Sequence, residues 1–458
     1  MKNVSFTKKA ACSVLSAAVA AAFTTSVDAR FLMKNLEICD QGSFFIGGVP
    51  KVTKYATSST ASTNYSQITV GQMYVQFQVP TAARKWPLIM VHGSTHSGAA
   101  LESTPHYTEG WAPYTVRNKL ATYVVDQPGR GRSGNDESRF HEGEARMLAG
   151  DIPGAALVMP NIGRITDNGS YTAWFGHLVT PGTATTCTDI ITCELMPHGW
   201  RSDDPSLPTV HPNPAGYGPQ WAFKTSEFVY PPNLIYLDPV NGIDTGTWGP
   251  PPFGPAAAYK QHYYRQLLPN YESTLPSSMC PSCGPLPANQ ILAGSNTWSP
   301  RNLADLVVKL GGAIVATHSQ SGIQGLHMTR NLKEKGKLGL LKGLITVEGS
   351  CSLPNSGLTA ADFDNIPYMP IKGDYTLNSA VCDTTVAEIN ARRAAGLGTA
   401  KAEYIKLDDP SYNGKFNGVT HMMMDDTAAL PVMDVMLGWA SKHIANPPHT
   451  GQCNSPKL

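Results

Sequence analysis

A short apolar run that ends in a serine-containing turn is the feature that most constrains this fold. Residues 313–325 have the sequence AIVATHSQSGIQG, and the apolar part predicts a buried strand over Gly312–Thr317. The following residues, His318 to Gly322, are placed to open a helix. A serine in a strained strand-to-helix turn is typical of a nucleophile elbow. The pattern predicts Ser319 as a nucleophile, with the backbone N–H of Gln320 directed at an oxyanion.

The elbow departs from the usual G-x-S-x-G spacing at both glycine positions. Thr317 and Ser321 stand where small residues are needed, two positions before and two after Ser319. Ser321 is the alternative nucleophile, but its own position two residues on is the bulky Ile323. The spacing therefore favours Ser319.

Strand and helix patterns alternate on both sides of a long middle segment. Alternation of this kind predicts a mostly parallel sheet with helices on both faces, and the elbow makes it an α/β-hydrolase fold. Helices are predicted over Leu303–Leu310 and Pro431–Ile444. Strands are predicted over Gln67–Pro80, Leu88–Val91, Tyr123–Val125, Leu344–Val347, Tyr368–Ile371 and Tyr404–Leu407.

The middle segment, residues 140–300, has a different character. It holds 22 of the 36 prolines of the chain, and a structureless loop of that length is implausible in a compact domain. We interpret it as an inserted cap or lid over the active-site mouth, with one clear helix candidate at Ala256–Leu268. The catalytic core is then formed by residues 30–139 and 301–458.

The first 29 residues have the pattern of a signal peptide. Lys2, Lys8 and Lys9 precede a small apolar region, and Val27-Asp28-Ala29 resembles a cleavage site. The apolar region is too short to predict a stable membrane anchor. We therefore expect a secreted or periplasmic protein; oligomeric state is left open.

Cysteine usage agrees with export. Cys12 lies in the signal peptide, which leaves eight of the nine cysteines in the mature chain, and an even number in an exported protein favours disulfides. Short separations favour Cys187–Cys193 and Cys280–Cys283, with Cys39–Cys453 and Cys351–Cys382 remaining. Spacing alone does not fix this connectivity.

Composition argues against a polyanionic partner. Charged residues make up 15% of the chain and the net charge is +1, so nucleic acid is not an expected partner. The segment DQPGRGRS at 126–133, with Gly134, contains a literal G-x-G-x-x-G. A dinucleotide site would need a helix and a second strand there, but no apolar strand precedes Asp151. We interpret these glycines as a turn.

Further site residues follow from their place in the chain. His421 lies after the last predicted strand and before the closing helix, where the triad histidine of this fold belongs; His443 lies too late. Gly93 follows the Leu88–Val91 strand, and the Ser94 N–H is the candidate second oxyanion donor. Glu348 and Asp374 each follow a strand, so position leaves both open as the acid. The flexible exit after Glu348 and its longer side chain favour Glu348.

No metal or other cofactor is expected. His92 and His96 are four residues apart but lie across a turn, and the sequence contains no H-E-x-x-H.

Several of these motifs together resemble a small group of bacterial α/β-hydrolases, the esterase-713-like family. The resemblance is carried by HGSTHSG at 92–98, VVDQPGRGRS at 124–133, HSQSG at 318–322, Glu348, and GVTHMMMDD at 418–426. It implies a triad of Ser319, His421 and Glu348 with oxyanion amides at Ser94 and Gln320. Ser94-Thr95 replace adjacent cysteines that members of the family can carry.

The expected activity is hydrolysis of small carboxylic esters through an acyl-enzyme intermediate. An acyltransferase or amidase would use the same residues. From another class, a binding protein on this fold would be expected to lack a triad member, and none is missing here.

Overall fold

The computed structural model describes residues 31–105, 108–159, 164–179, 194–197, 234–237, 244–248, 263–269, 297–374, 378–416, 418–426, 428–451 and 453. The predicted signal peptide, most of the predicted cap and the four cysteines Cys187, Cys193, Cys280 and Cys283 lie outside these residues. The strands are β1 (Ile38–Thr53), β2 (Ser66–Pro80), β3 (Leu88–Val91), β4 (Thr122–Asp126), β5 (Gly176–Val179), β6 (Glu194–Pro197), β7 (Leu234–Leu237), β8 (Asp244–Trp248), β9 (Ala313–His318), β10 (Leu341–Val347), β11 (Tyr368–Lys372) and β12 (Ile405–Lys406). The helices are α1 (Ala99–Glu102), α2 (Trp111–Arg117), α3 (Ser138–Leu148), α4 (Ile152–Val158), α5 (Asp167–Trp174), α6 (Trp298–Lys309), α7 (Ser321–Glu334), α8 (Ala380–Ala394) and α9 (Ala429–His443).

Within the described residues, the central sheet has eight strands in the order β1-β2-β4-β3-β9-β10-β11-β12. Strand β2 pairs antiparallel with β1 and β4, and every pair from β4 to β12 is parallel. Because β3 lies between β4 and β9, the order of the chain reverses at β3. In open α/β sheets, binding sites form at the carboxyl ends of the strands where the chain order reverses in this way.

Two hydrophobic layers cover this sheet, one on each face. Strands β3, β4, β9 and β10 are buried along almost their whole length, as expected of strands with helices on both sides. One layer packs α2 and α9 against the sheet through Trp111, Met433 and Trp439. The other packs α6 and α7 through Leu306 and Leu326. The sheet is thereby held between its helices, and the candidate site lies at the carboxyl ends of its central strands.

The strand predictions agree closely with the structure, whereas the helix predictions missed several elements. Leu88–Val91 is reproduced, and the strand predicted at Tyr404–Leu407 is shorter than expected. Helices α1 to α5 and α8 were not predicted, and α6 begins at Trp298, five residues before the predicted start. Of the predicted helix at Ala256–Leu268, only the last residues are described, and Tyr263 and Tyr264 are helical.

Both of the longer-range cysteine pairs form disulfides. Cys39 on β1 is bonded to Cys453 near the end of the chain, and Cys351, in the loop after β10, is bonded to Cys382 on α8. The Cys39–Cys453 bond attaches the edge strand to the C-terminal segment. The Cys351–Cys382 bond holds the loop that follows Glu348.

The glycine-rich segment after β4 forms a turn, as predicted. Gly131–Ser133 is a single turn of 3-10 helix, and Gly129 and Gly131 have positive φ angles of 78° and 49°. The helix that follows, α3, begins only at Ser138. Among the described residues, no helix is both long enough and apolar enough to cross a membrane.

Candidate active site

Ser319 occupies a sharp turn between β9 and α7. Its φ is +53°, a left-handed value that is uncommon for a residue with a side chain and indicates local strain. Its amide donates to the carbonyl of Val347 at 2.8 Å, and its carbonyl accepts from the amide of Gly322 at 2.9 Å. The turn is therefore tied on one side to β10 and on the other to the first turn of α7, as the nucleophile elbow predicts.

The second serine of the elbow is used for structure. The Ser321 side chain is fully buried, and its hydroxyl oxygen accepts from the His318 amide at 2.8 Å and lies 3.1 Å from the Val91 carbonyl oxygen. The close backbone approach in this turn falls at Gly322, where a Cβ would lie 2.7 Å from Cα of Gly349. The elbow thus tolerates Ser321 because the residue that must be glycine is the next one.

His421 lies directly beside Ser319. Its Nε2 is 2.9 Å from Ser319 Oγ. The loop that carries it is held by Asp426, whose carboxylate accepts from the Thr420 amide at 2.7 Å. On its outer side the imidazole stacks with Trp174, with ring centroids 6.0 Å apart and planes inclined by 23°.

Glu348 completes a chain of hydrogen bonds with these two residues. Its Oε2 is 2.5 Å from His421 Nδ1, and its Oε1 accepts from the Gly373 amide at 2.5 Å. The side chain is fully buried, and its φ of +46° turns it back across the end of the sheet. Both carboxylate oxygens are therefore occupied, which fixes the carboxylate plane.

Asp374, the alternative acid, lies on the same loop system but contacts backbone. Its Oδ2 accepts from the Gly418 amide at 2.8 Å, and Gly418 opens the loop that leads to His421. The structure thus brings Glu348 to the imidazole and Asp374 to the base of the histidine loop.

The loop after β3 packs against the elbow. A Cβ on Gly93 would lie 2.7 Å from Nδ1 of His318 and 3.1 Å from Cβ of Ser319. This approach packs Gly93, the residue before Ser94, against Ser319, while Gln320 occupies the N-cap position of α7. Both predicted oxyanion residues are thus brought to the nucleophile, and their roles as donors remain predictions.

His92 and His96, in the loop after β3, each make their own hydrogen bonds. His92 Nδ1 donates to the Gly93 carbonyl at 2.9 Å, and its Nε2 accepts from the Gln127 amide at 3.0 Å. His96 Nδ1 donates to the Ser94 carbonyl at 2.6 Å. Burial lowers the pKa of His92 to about 3 and that of His96 to about 4, so both are neutral near pH 7. Nowhere in the described ranges are three or more His, Cys, Asp or Glu side chains grouped to hold a metal ion.

A third histidine, His318, supports the loop that carries His421. Its Nε2 donates to the backbone carbonyl of His421 at 2.9 Å, and burial lowers its pKa well below the ordinary value. A neutral imidazole in the Nε2–H form suits this hydrogen bond. The sequence placed His318 in the elbow but gave it no role, so this contact was not predicted.

Aromatic residues from the middle segment border the site, and they were not predicted from the sequence. Trp174 lies against His96 and His421, and Tyr263 lies against His96, with ring centroids 5.5 to 6.0 Å apart. Phe175 packs edge-on against Tyr263 at 4.9 Å, and the Leu268 amide donates to the Thr95 carbonyl at 2.7 Å. The available signal was the clustering of tryptophan and tyrosine in the predicted cap.

The sheet order, the strained elbow and its position at the chain reversal define an α/β-hydrolase fold. The structure of a novel bacterial esterase is similar to this chain with a TM-score of 0.59 and 22% identity, and the alignment covers 90% of this chain and 98% of that one. This likeness supports the fold.

More distant similarities are found to a hormone-sensitive lipase from a metagenome library, with a TM-score of 0.28, 10% identity and 86% coverage of each chain. Another is to brefeldin A esterase, a bacterial homologue of human hormone-sensitive lipase, with a TM-score of 0.29 and 8% identity, covering 96% of this chain and 88% of that one. Neither a family model nor a curated protein matches the chain.

Proposed function

We propose that this protein is a serine hydrolase that cleaves carboxylic esters through an acyl-enzyme intermediate. The observation that carries the proposal is the continuous hydrogen-bonded chain from Ser319 Oγ through His421 to Glu348, with distances of 2.9 and 2.5 Å. The likeness to a bacterial esterase structure is consistent with this activity. The substrate class would be small-molecule esters.

In the proposed mechanism, Ser319 Oγ attacks the ester carbonyl carbon while its proton passes to His421 Nε2. The carbonyl oxygen becomes an oxyanion, for which the N–H groups of Ser94 and Gln320 are the proposed donors. Glu348 keeps the proton of His421 on Nδ1, so that Nε2 is free to accept. When the intermediate collapses, His421 returns its proton to the leaving alcohol, and water later repeats the sequence in reverse on the acyl-enzyme.

We also propose that residues 1–29 direct export and that residues 140–300 form a cap on a core made of residues 30–139 and 301–458. The disulfides Cys39–Cys453 and Cys351–Cys382 support an oxidising compartment, either periplasmic or extracellular. Helix α5 and Tyr263, both from the proposed cap, supply aromatic rings beside His421 and His96. Substrate selection would then depend on this segment.

The test is covalent labelling with a fluorophosphonate together with hydrolysis of p-nitrophenyl esters. Ser319→Ala should abolish labelling and lower kcat by about 10⁴ to 10⁶, because only the attacking oxygen is lost. Circular dichroism should show an unchanged fold.

Ser321→Ala is the matched control, since it removes a neighbouring hydroxyl that is bonded to backbone. It should lower stability but keep labelling, and labelling lost in Ser321→Ala but kept in Ser319→Ala would shift the nucleophile by two residues.

Adding excess alcohol separates the alternative activities: an acyltransferase would form mainly the new ester, a hydrolase mainly the acid. A protein that neither labels nor turns over ester would be a binding protein on this fold.

A further inference from the structure

Arg130 is a buried cation in the glycine-rich turn after β4. It is only 2% exposed, although it belongs to a short loop, and the proposed mechanism gives it no task. The flanking glycines, Gly129 and Gly131, both have positive φ. The turn therefore directs this one side chain inward, beneath the elbow.

The guanidinium of Arg130 joins the two loops that carry the proposed oxyanion donors. Its Nη1 donates to the Gly93 carbonyl at 2.8 Å, and its Nη2 donates to Oε1 of Gln320 at 2.9 Å. One planar group thus spans from the loop after β3 to the first residue after the nucleophile. Arginine suits this task because its donors are held in a fixed fork.

The contact with Gly93 acts directly on the proposed donor at Ser94. The Gly93 carbonyl and the Ser94 N–H belong to one planar, trans peptide unit, so they point in opposite directions. His92 Nδ1 donates to the same carbonyl at 2.9 Å. Two donors on this oxygen resist rotation of the peptide plane and so fix the direction of the Ser94 N–H.

Charge adds to this geometric effect. Burial lowers the pKa of Arg130 to about 9, which leaves it a cation at neutral pH. A cation bonded to the carbonyl oxygen polarises the peptide and makes its N–H a stronger donor. The nearby histidines, His92 and His96, are neutral.

We propose that Arg130 is a positioning residue of the oxyanion site, which orients and polarises the Gly93–Ser94 peptide and ties it to Gln320. The inference rests on the proposed function. It concerns the transition state, in which the oxyanion exists, and not the binding of the ester in the ground state.

Two variants test the proposal. Arg130→Met keeps an unbranched side chain out to about the position of Nε but removes every donor. It should lower kcat by ~10²-fold, the order seen when one oxyanion donor is lost, with KM within about 3-fold because ground-state binding does not use the oxyanion. The inhibition constant of a trifluoromethyl ketone, which forms a tetrahedral adduct with the serine, should rise by the factor by which kcat/KM falls. Arg130→Lys can reach one of the two acceptors and should lower kcat about 10-fold.

Arg139→Met is the matched control. Arg139 is also buried, and its Nε donates to the Val158 carbonyl at 2.8 Å, so its loss should lower stability while kcat stays within about 3-fold.

Unchanged kcat in Arg130→Lys, or in a folded Arg130→Met, overturns the inference while ester hydrolysis by the wild type stands. Equal losses of kcat in Arg139→Met and Arg130→Met also overturn it, because the effect would then be general. A wild type that neither labels with fluorophosphonate nor turns over ester would instead remove the proposed function on which the inference rests.

Discussion

Replacing Glu348 with glutamine tests whether this carboxylate sets the tautomer of His421. The structure fixes how the new amide would sit. Oε1 accepts from the Gly373 amide and Oε2 faces His421 Nδ1. A glutamine oxygen must stay on the Gly373 N–H, since the reverse orientation would bring two donors together and leave them unsatisfied at a cost of about 1 to 3 kcal/mol.

In the favoured orientation the glutamine NH₂ donates to His421 Nδ1. The imidazole proton is then forced onto Nε2, which can no longer accept the proton of Ser319. This is the wrong tautomer for a general base, and the loss expected for such a change is ~10⁴ in kcat, equivalent to about 5 kcal/mol of transition-state stabilisation. Because the substitution is nearly isosteric, KM should change little.

The assay is steady-state hydrolysis of a p-nitrophenyl ester by Glu348→Gln, with Asp374→Asn as the matched control. An asparagine oxygen at 374 can still accept from the Gly418 amide, so kcat should stay within about 10-fold of wild type. The rate of fluorophosphonate labelling should fall in parallel with kcat for Glu348→Gln. A large loss in Asp374→Asn with near-normal turnover in Glu348→Gln would assign the acid to Asp374 and refute the tautomer argument.

Two further predictions concern stability. Replacing both Cys351 and Cys382 with alanine should lower the free energy of unfolding by about 3 to 4 kcal/mol, as expected for opening a loop of 31 residues; an unchanged urea midpoint would contradict it. His96 is neutral in the folded protein at neutral pH because its pKa is lowered to about 4. In the unfolded chain its pKa is near 6.5, so the unfolded state gains a proton as the pH falls below that value, and the free energy of unfolding decreases. Between pH 7 and 5 the wild type should lose about 2 kcal/mol relative to His96→Asn, measured by urea unfolding at each pH, and equal losses in both proteins would refute the lowered pKa.

Sequence periodicity was most informative where strands are buried on both faces. Runs such as Leu88–Val91 and Leu344–Val347 contain only residues that suit a covered parallel sheet, so their positions in the chain could be predicted. The same logic predicted that Ser319, Glu348 and the loop after β3 would lie at strand ends, where the structure places them; their roles remain predictions. The edge strand β1 gave a weaker signal, since its side chains alternate irregularly between partial burial and exposure.

Contacts made by backbone could not be predicted from residue types. The role of Arg130 depends on a carbonyl 37 residues away, and that of Asp426 on the amide of Thr420. Neither partner has a side-chain signature, because any residue supplies an amide and a carbonyl. The helices α3 to α5 were missed for a different reason: each contains a glycine, at positions 143, 154 and 169, and glycine weakens a helix prediction from sequence.

The register of the central strands supports the proposal that a glutamate at position 348 orients His421. His318 is paired with Val347 across β9 and β10, so Ser319 and Glu348 leave the sheet side by side, on adjacent strands about 4.8 Å apart. Both residues then turn in the left-handed direction, with φ of +53° and +46°. The His421 imidazole lies between these two side chains, on a loop that follows β12 in the chain. The Glu348 carboxylate must extend beyond the turn that follows β10 to reach Nδ1 of His421. A glutamate side chain has one more methylene group than an aspartate side chain, and this gives the reach that an aspartate at this position would lack.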